Sequence, residues 1–255
     1  MALEYDKIVL FGDSITQYCF NTEVADFCLG PALQNLYTRK FDIIQRGYGG
    51  YTSEHAVRMI DKLITQETTP TTKVKLMIVF FGTNDSVMPS NKAQHTPIEK
   101  YKDNLRYITH AAQAADIKVI LIGAGPYNDH QWTITRPGVN DRTTIRAREY
   151  CDAAFDVAKE LDIPFVPMWN LIMNDIGYDG TGPLPGLREG SAKNPLTKYL
   201  VDGLHYLGPA YKIEFDGIMR AISFAYPELA PENVPLRLPL WADLKHPDDI
   251  LPALA

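Results

Sequence analysis

Cysteine is scarce in this chain: three in 255 residues, at Cys19, Cys28 and Cys151. The count is odd and no CxxC spacing occurs, so a disulfide framework is not expected and a reduced compartment is. Basic residues are outnumbered. Lys and Arg total 25 against 31 Asp and Glu, for a net charge of -6 and a pI near 5.5. That balance argues against a nucleic-acid surface. No apolar run is as long as a membrane span. The opening MALEYDKIVLFGDS carries acidic residues and leads straight into a strand, so no signal peptide is expected and a cytoplasmic location is. Repeats and low-complexity linkers are missing too. The expectation is one domain over residues 1–255, with the proline-rich stretch 227–255 as a C-terminal surface extension of little periodicity.

What is present begins at residues 7–17, KIVLFGDSITQ. Ile8, Val9, Leu10 and Phe11 read as a short buried strand that breaks at Gly12 and delivers Asp13 and Ser14 onto a tight turn. Residues 18–27 read as loop and helix start, with a helix continuing over 29–40. A second strand, 42–46, ends in Gly47-Tyr48-Gly49-Gly50, where the backbone must turn sharply or approach something closely. Thr52 is placed to cap a helix over 53–64, with Ala56, Val57, Ile60 and Ile64 on one face. Residues 74–81, VKLMIVFF, form the clearest central strand and end in Gly82-Thr83-Asn84-Asp85. Thr96-Pro97-Ile98-Glu99 reads as a capping box opening a helix to about Ala115. A strand at 118–122, a helix over 143–161, a strand at 165–167, an irregular Gly/Pro-rich loop at 177–194 and a last helix over 209–226 complete the order. Short apolar strands alternating with helices predict a parallel sheet of βαβ units.

Four polar groups fall at strand ends or in loops: Asp13-Ser14, Gly49-Gly50, Asn84-Asp85, and Asp202 with His205. The carboxyl ends of parallel strands share one edge, so the first three converge. The fourth supplies the base that a serine nucleophile needs. His205 takes the proton of Ser14, and Asp202, three residues before it, orients the ring. The Ser14 amide, the Gly50 amide and the Asn84 side chain are the oxyanion donors. Each piece alone has a plainer reading. Ser14 also suits a helix cap, Gly49-Gly50 a turn, Asn84-Asp85 a cap or Asx turn, and His205 a solvated histidine. The case rests on all four occurring in order. His55, His95, His110, His130 and His246 lack such neighbours and read as surface. Tyr127 and Trp132 suit pocket lining or simple packing equally.

The blocks FGDSIT, GGYTS, FFGTND and DGLH resemble the SGNH hydrolases, also called GDSL esterases and lipases. They stand in the family's order from Phe11 to His205. The stretches QRGYGGYTSEHA, FFGTNDS and LVDGLHY look most like the isoamyl acetate-hydrolysing esterase subgroup. The resemblance implies a flavodoxin-like α/β/α sandwich with no metal or organic cofactor. It also implies Ser14 as nucleophile, His205 as base, Asp202 as orienter, and Ser14, Gly50 and Asn84 as oxyanion donors. Ile15 replaces the leucine of the GDSL name without mechanistic consequence, and loop 177–194 is less typical.

The leading expectation is a serine esterase acting on small O-acyl esters. An acyltransferase with the same machinery is the alternative, and a homodimer stays open. A metal-assisted phosphoesterase using Asp13, Asn84, Asp85 and His205 lacks the His-rich clusters such sites want. A non-catalytic binding module would be expected had Ser14 or His205 been replaced. An α/β-hydrolase is excluded because Thr16, not Gly, stands two residues after Ser14.

Overall fold

In the computed structural model, which describes residues 4–23, 25–188 and 194–254, five parallel strands form one sheet in the order β2-β1-β3-β4-β5. They are β1 (Asp6–Gly12), β2 (Phe41–Gly47), β3 (Val74–Phe80), β4 (Lys118–Gly123) and β5 (Phe165–Pro167). Alternation along them sends side chains to two faces. Ile8, Leu10, Ile78, Phe80, Ile120 and Ile122 join one apolar cluster. Val9, Phe11, Met77, Val79, Val119 and Leu121 join the other. Each fully buried side chain of this kind stabilises by about 1.5–3 kcal/mol. The strands therefore carry nearly continuous apolar runs, because neither face meets water.

Helices cover both faces. The first cluster is closed by α2 (Leu29–Leu36), α7 (Met168–Asp175) and α8 (Gly208–Ala225), which contribute Leu33, Ile172 and Ile218 among others. The second is closed by α3 (Ser53–Glu67), α4 (Ile98–Ala114) and α6 (Thr144–Glu160), through Ile60, Ile108 and Val157. This is the three-layer α/β/α sandwich with flavodoxin-like strand order. The chain leaves β1 toward β2 and returns past it to β3, so the crevice between the ends of β1 and β3 is the topological switch point, where such sheets bind ligands.

Several local readings are corrected. The tight turn after Gly12 leads directly into a short helix, α1 (Ser14–Tyr18), capped by the Asp13 carboxylate, which accepts from Ile15 N at 2.9 Å. Helix α2 stops at Leu36 rather than Lys40, and Arg39 turns the chain with φ 63°. Two further helices, α5 (Asp129–Thr135) and α7, have no counterpart in the sequence pattern. The Thr96 capping box does not form. The N-cap of α4 is Pro97, without a side-chain cap bond, and Thr96 instead accepts from the Tyr150 hydroxyl and donates its own N–H to Asp85 O at 3.2 Å. Residues 189–193 of the expected loop lie outside the described residues.

Beyond α8, Leu229, Ala230 and Val234 are buried in the first cluster. The Tyr37 hydroxyl donates to Leu229 O at 2.8 Å, and the Arg39 guanidinium to Leu238 O and Pro239 O at 2.9 and 2.7 Å. The remainder runs as short helical turns to α9 (Leu251–Leu254), with Trp241 exposed.

Candidate active site

The tight break after β1 sets the first side chain. With Asp13 as N-cap, Ser14 is the first residue of α1 and lies at the switch-point edge, its residue only 6% exposed. At the end of β2, Gly47 is required by close approach: a Cβ there would stand 2.1 Å from Gln17 N. Gly50 takes φ +80°, a conformation glycine adopts without strain. The Gln17 and Gln94 side chains hold this turn, Gln17 Oε1 accepting from Gly49 N at 2.7 Å and Gln94 Nε2 donating to Gly50 O at 2.9 Å.

After β3, Asn84 and Asp85 point to different tasks. Asp85 is buried and accepts both the Ser53 amide, at 3.0 and 3.1 Å, and the Ser53 hydroxyl, at 2.5 Å. It thereby anchors the N-terminus of α3. Burial pushes its carboxyl up to about 6, against these hydrogen bonds. Asn84 is 2% exposed, and its Nδ2 donates to Tyr51 O at 2.9 Å. An amide nitrogen has two hydrogens, so one donor is left over among the described residues.

His205 and Asp202 come from the turn before α8. His205 Nε2 lies 2.9 Å from Ser14 Oγ, and Nδ1 lies 2.9 Å from Asp202 Oδ2. A carboxylate facing Nδ1 keeps the neutral ring's proton there and presents the Nε2 lone pair to the hydroxyl. Asp202 Oδ1 accepts from Leu204 N and His205 N at 3.1 and 2.9 Å. Burial raises the Asp202 carboxyl, but the His205 ring and backbone bonds outweigh it and hold the group well below the usual carboxylate range. It is thus ionised at neutral pH.

The structure brings Ser14, Asp202 and His205 into one chain of contacts, with Gly50 and Asn84 at the ends of the neighbouring strands. Sequence reasoning missed two arginines. Arg136 Nη2 donates to Asp202 Oδ2 at 3.0 Å while its guanidinium stacks 3.7 Å from the Trp132 ring centroid. Trp132 and Arg136 are four apart on α5 and its cap, a spacing that puts side chains together, so this contact had a local signal. Arg142 Nη2 donates to Asn84 Oδ1 at 2.9 Å and Nη1 to Thr83 O; no local pattern marks it. Trp132 and Tyr127 are buried in the first cluster, which favours the packing reading.

A cavity of about 280 Å³ opens beside His205, walled by Tyr18, Ala25, Val201, Tyr206 and Tyr211. Tyr18 meets the imidazole edge to face at 5.4 Å. A larger apolar groove, about 810 Å³, runs along β5 between α6 and α8 and touches none of the residues of the site.

Beneath the site lies a buried acid. Glu214, on α8, is 3% exposed, and burial together with the charge of Asp13 pushes its carboxyl from an ordinary 4.5 up to about 8. A carboxyl raised on folding keeps a proton that the unfolded chain releases, so stability falls as pH rises from about 4.5 to 8. Glu214→Gln is expected to remove that fall. Its melting temperature should match wild type near pH 4 and exceed it progressively to pH 8, by the equivalent of roughly 2–4 kcal/mol. Parallel melting curves across pH would contradict this.

The GDSL-like lipase/acylhydrolase family matches residues 10–206. The isoamyl acetate-hydrolyzing esterase of Saccharomyces cerevisiae is 32% identical over 251 residues, covering 95% of this chain and 96% of the relative. The human isoamyl acetate-hydrolyzing esterase 1 homolog is 28% identical, covering 95% and 90%. Among solved structures, an acetylxylan esterase from Geobacillus stearothermophilus superposes with a TM-score of 0.62 at 16% identity, covering 88% of this chain and 97% of that one, a likeness of fold. Among the described residues no helix is long and apolar enough to cross a membrane. The chain belongs to the GDSL-like lipase/acylhydrolase family and is a carboxylic ester hydrolase.

Proposed function

We propose that this chain hydrolyses small O-acyl esters of the acetate type through an acyl-enzyme on Ser14. The observation that carries the reading is the unbroken run of contacts from Ser14 Oγ through His205 to Asp202, each 2.9 Å long. Ser14 Oγ attacks the ester carbonyl while its proton passes to His205 Nε2. Asp202 stabilises the imidazolium so formed. The carbonyl oxygen becomes an oxyanion that accepts hydrogen bonds from the Ser14 and Gly50 amides and the free N–H of Asn84. As the C–O bond breaks, His205 returns the proton to the leaving alcohol. Water, deprotonated by the same imidazole, then releases the acid and restores Ser14. The acetate preference rests on the yeast and human relatives, both of which carry isoamyl acetate hydrolysis in their names.

Transfer to an alcohol is a second reading, favoured by the mostly apolar cavity beside His205. An alcohol held there would meet the acyl-enzyme on the side of the base. A series of p-nitrophenyl esters of increasing acyl length, run with and without isoamyl alcohol, tests both. Fastest turnover on acetate with free acid as main product is expected. A maximum at long acyl chains would overturn the small-ester reading. Ester formed in excess of acid would assign the chain to transfer.

A further inference from the structure

Arg142 is a cation in the wrong place for a surface arginine. Its residue is 7% exposed, and among the described residues it forms no ion pair. Its guanidinium donates instead to two neutral oxygens, Thr83 O and Asn84 Oδ1, the latter at 2.9 Å, and lies 5.4 Å from the Trp132 ring centroid. Among the described residues its Nε has no acceptor. Burial lowers its pKa, with the nearby carboxylates of Asp141 and Asp13 acting in the opposite direction. Desolvating a charge without a paired carboxylate is costly, so the arrangement calls for a return other than stability.

The chemistry of the amide it holds supplies one. A guanidinium can only donate, and a backbone carbonyl can only accept. Arg142 on Oδ1 and Tyr51 O on Nδ2 therefore allow Asn84 one orientation and forbid the flipped one. A donor bond to the amide oxygen also draws electron density from the conjugated nitrogen. The remaining N–H becomes a stronger donor, the cooperativity expected of linked hydrogen bonds. The guanidinium charge moreover stands one amide away from the place where negative charge develops.

We infer that Arg142 is a positioning residue for the oxyanion hole, one whose buried guanidinium orients and polarises the Asn84 amide. The inference rests on the esterase reading above, in which Asn84 meets the oxyanion. Because an oxyanion exists only as the reaction proceeds, the effect falls on turnover and not on substrate binding.

A double-mutant cycle tests it. Asn84→Ala alone should lower kcat by about 10²–10³-fold with KM nearly unchanged. Arg142→Met alone should lower kcat by about 10–100-fold, again with KM nearly unchanged, because an unheld amide is a weaker donor than a held one and a stronger one than none. In the Asn84→Ala background, Arg142→Met should cost less than about twofold, since the group through which it acts is gone. Affinity for a trifluoromethyl ketone, whose adduct carries the oxyanion, should fall in parallel with kcat. Arg142→Lys, which keeps the charge and one donor, should restore part of the loss.

Full additivity of the two substitutions would overturn the proposal, as would a folded Arg142→Met with wild-type kcat. Failure of both Arg142→Met and Arg142→Lys to fold would assign the guanidinium to stability and overturn it equally. Failure of the esterase reading looks different: Ser14→Ala would then retain activity. With that variant dead, the cycle speaks for Arg142 alone.

Discussion

Ser14→Ala is expected to lower kcat on a short-chain ester by about 10⁴-fold or more, with a melting temperature close to wild type. The magnitude follows from how nucleophile and base act as one unit, so that losing either forfeits nearly the whole effect. What remains would come from the oxyanion donors and from substrate binding. The fold should not suffer, because Ser14 Oγ contacts His205 Nε2 and lies in neither apolar cluster. The cap of α1 is Asp13 rather than Ser14, so the helix start also survives. A sulfonyl fluoride should label Ser14 in the wild type and leave the variant unlabelled. Activity near wild type, or a label mapped to another residue, would remove Ser14 from the chemistry.

The second large effect is expected at Asp202. Asp202→Asn should reduce kcat by about 10³–10⁴-fold, although the side chain barely changes shape. Four donors converge on this carboxylate: Leu204 N, His205 N, His205 Nδ1 and Arg136 Nη2. An amide offers one accepting oxygen, which the two backbone N–H groups claim. Its NH₂ then faces the imidazole and forces Nδ1 to accept. The ring proton moves to Nε2 and points at the Ser14 hydroxyl, so the base has no lone pair where it needs one. The same NH₂ meets the Arg136 guanidinium donor to donor. Release of the Arg136 side chain should accompany the loss, visible as greater mobility of that residue by NMR. A variant within tenfold of wild-type kcat would show that the tautomer is fixed by something other than Asp202.

The strands were legible because their chemistry is local. Residues 74–81 and 118–122 are almost wholly apolar, as only a doubly covered strand needs to be, and glycines mark where they end. The positions of Ser14, Gly50 and Asn84 followed from the rule that parallel strands share a carboxyl edge. Short helices were not legible. Helix α5 has seven residues and starts amid Asn and Asp, which read as turn, while α7 follows Pro167 directly and has eight. Helices so short owe their existence to packing rather than propensity. Thr96 shows the reverse failure. Its sequence pattern suits a capping box, but Tyr150 and Asp85 engage its backbone from elsewhere in the fold. Arg142 was invisible for a similar reason, since its partner Asn84 is 58 positions away and nothing beside it hints at the contact.

Ser14 and His205 stand 191 positions apart. Synthesis delivers β1 long before the turn that precedes α8, so on the proposed mechanism a nascent chain carries its nucleophile well before its base. Bringing the two together closes a very long loop, and such closures come late because their entropy cost precedes any reward. On the proposed mechanism, a chain that has not closed this loop is expected to be inactive toward esters. Ester turnover would then report on the closure of that loop, in which the turn before α8 reaches the end of β1.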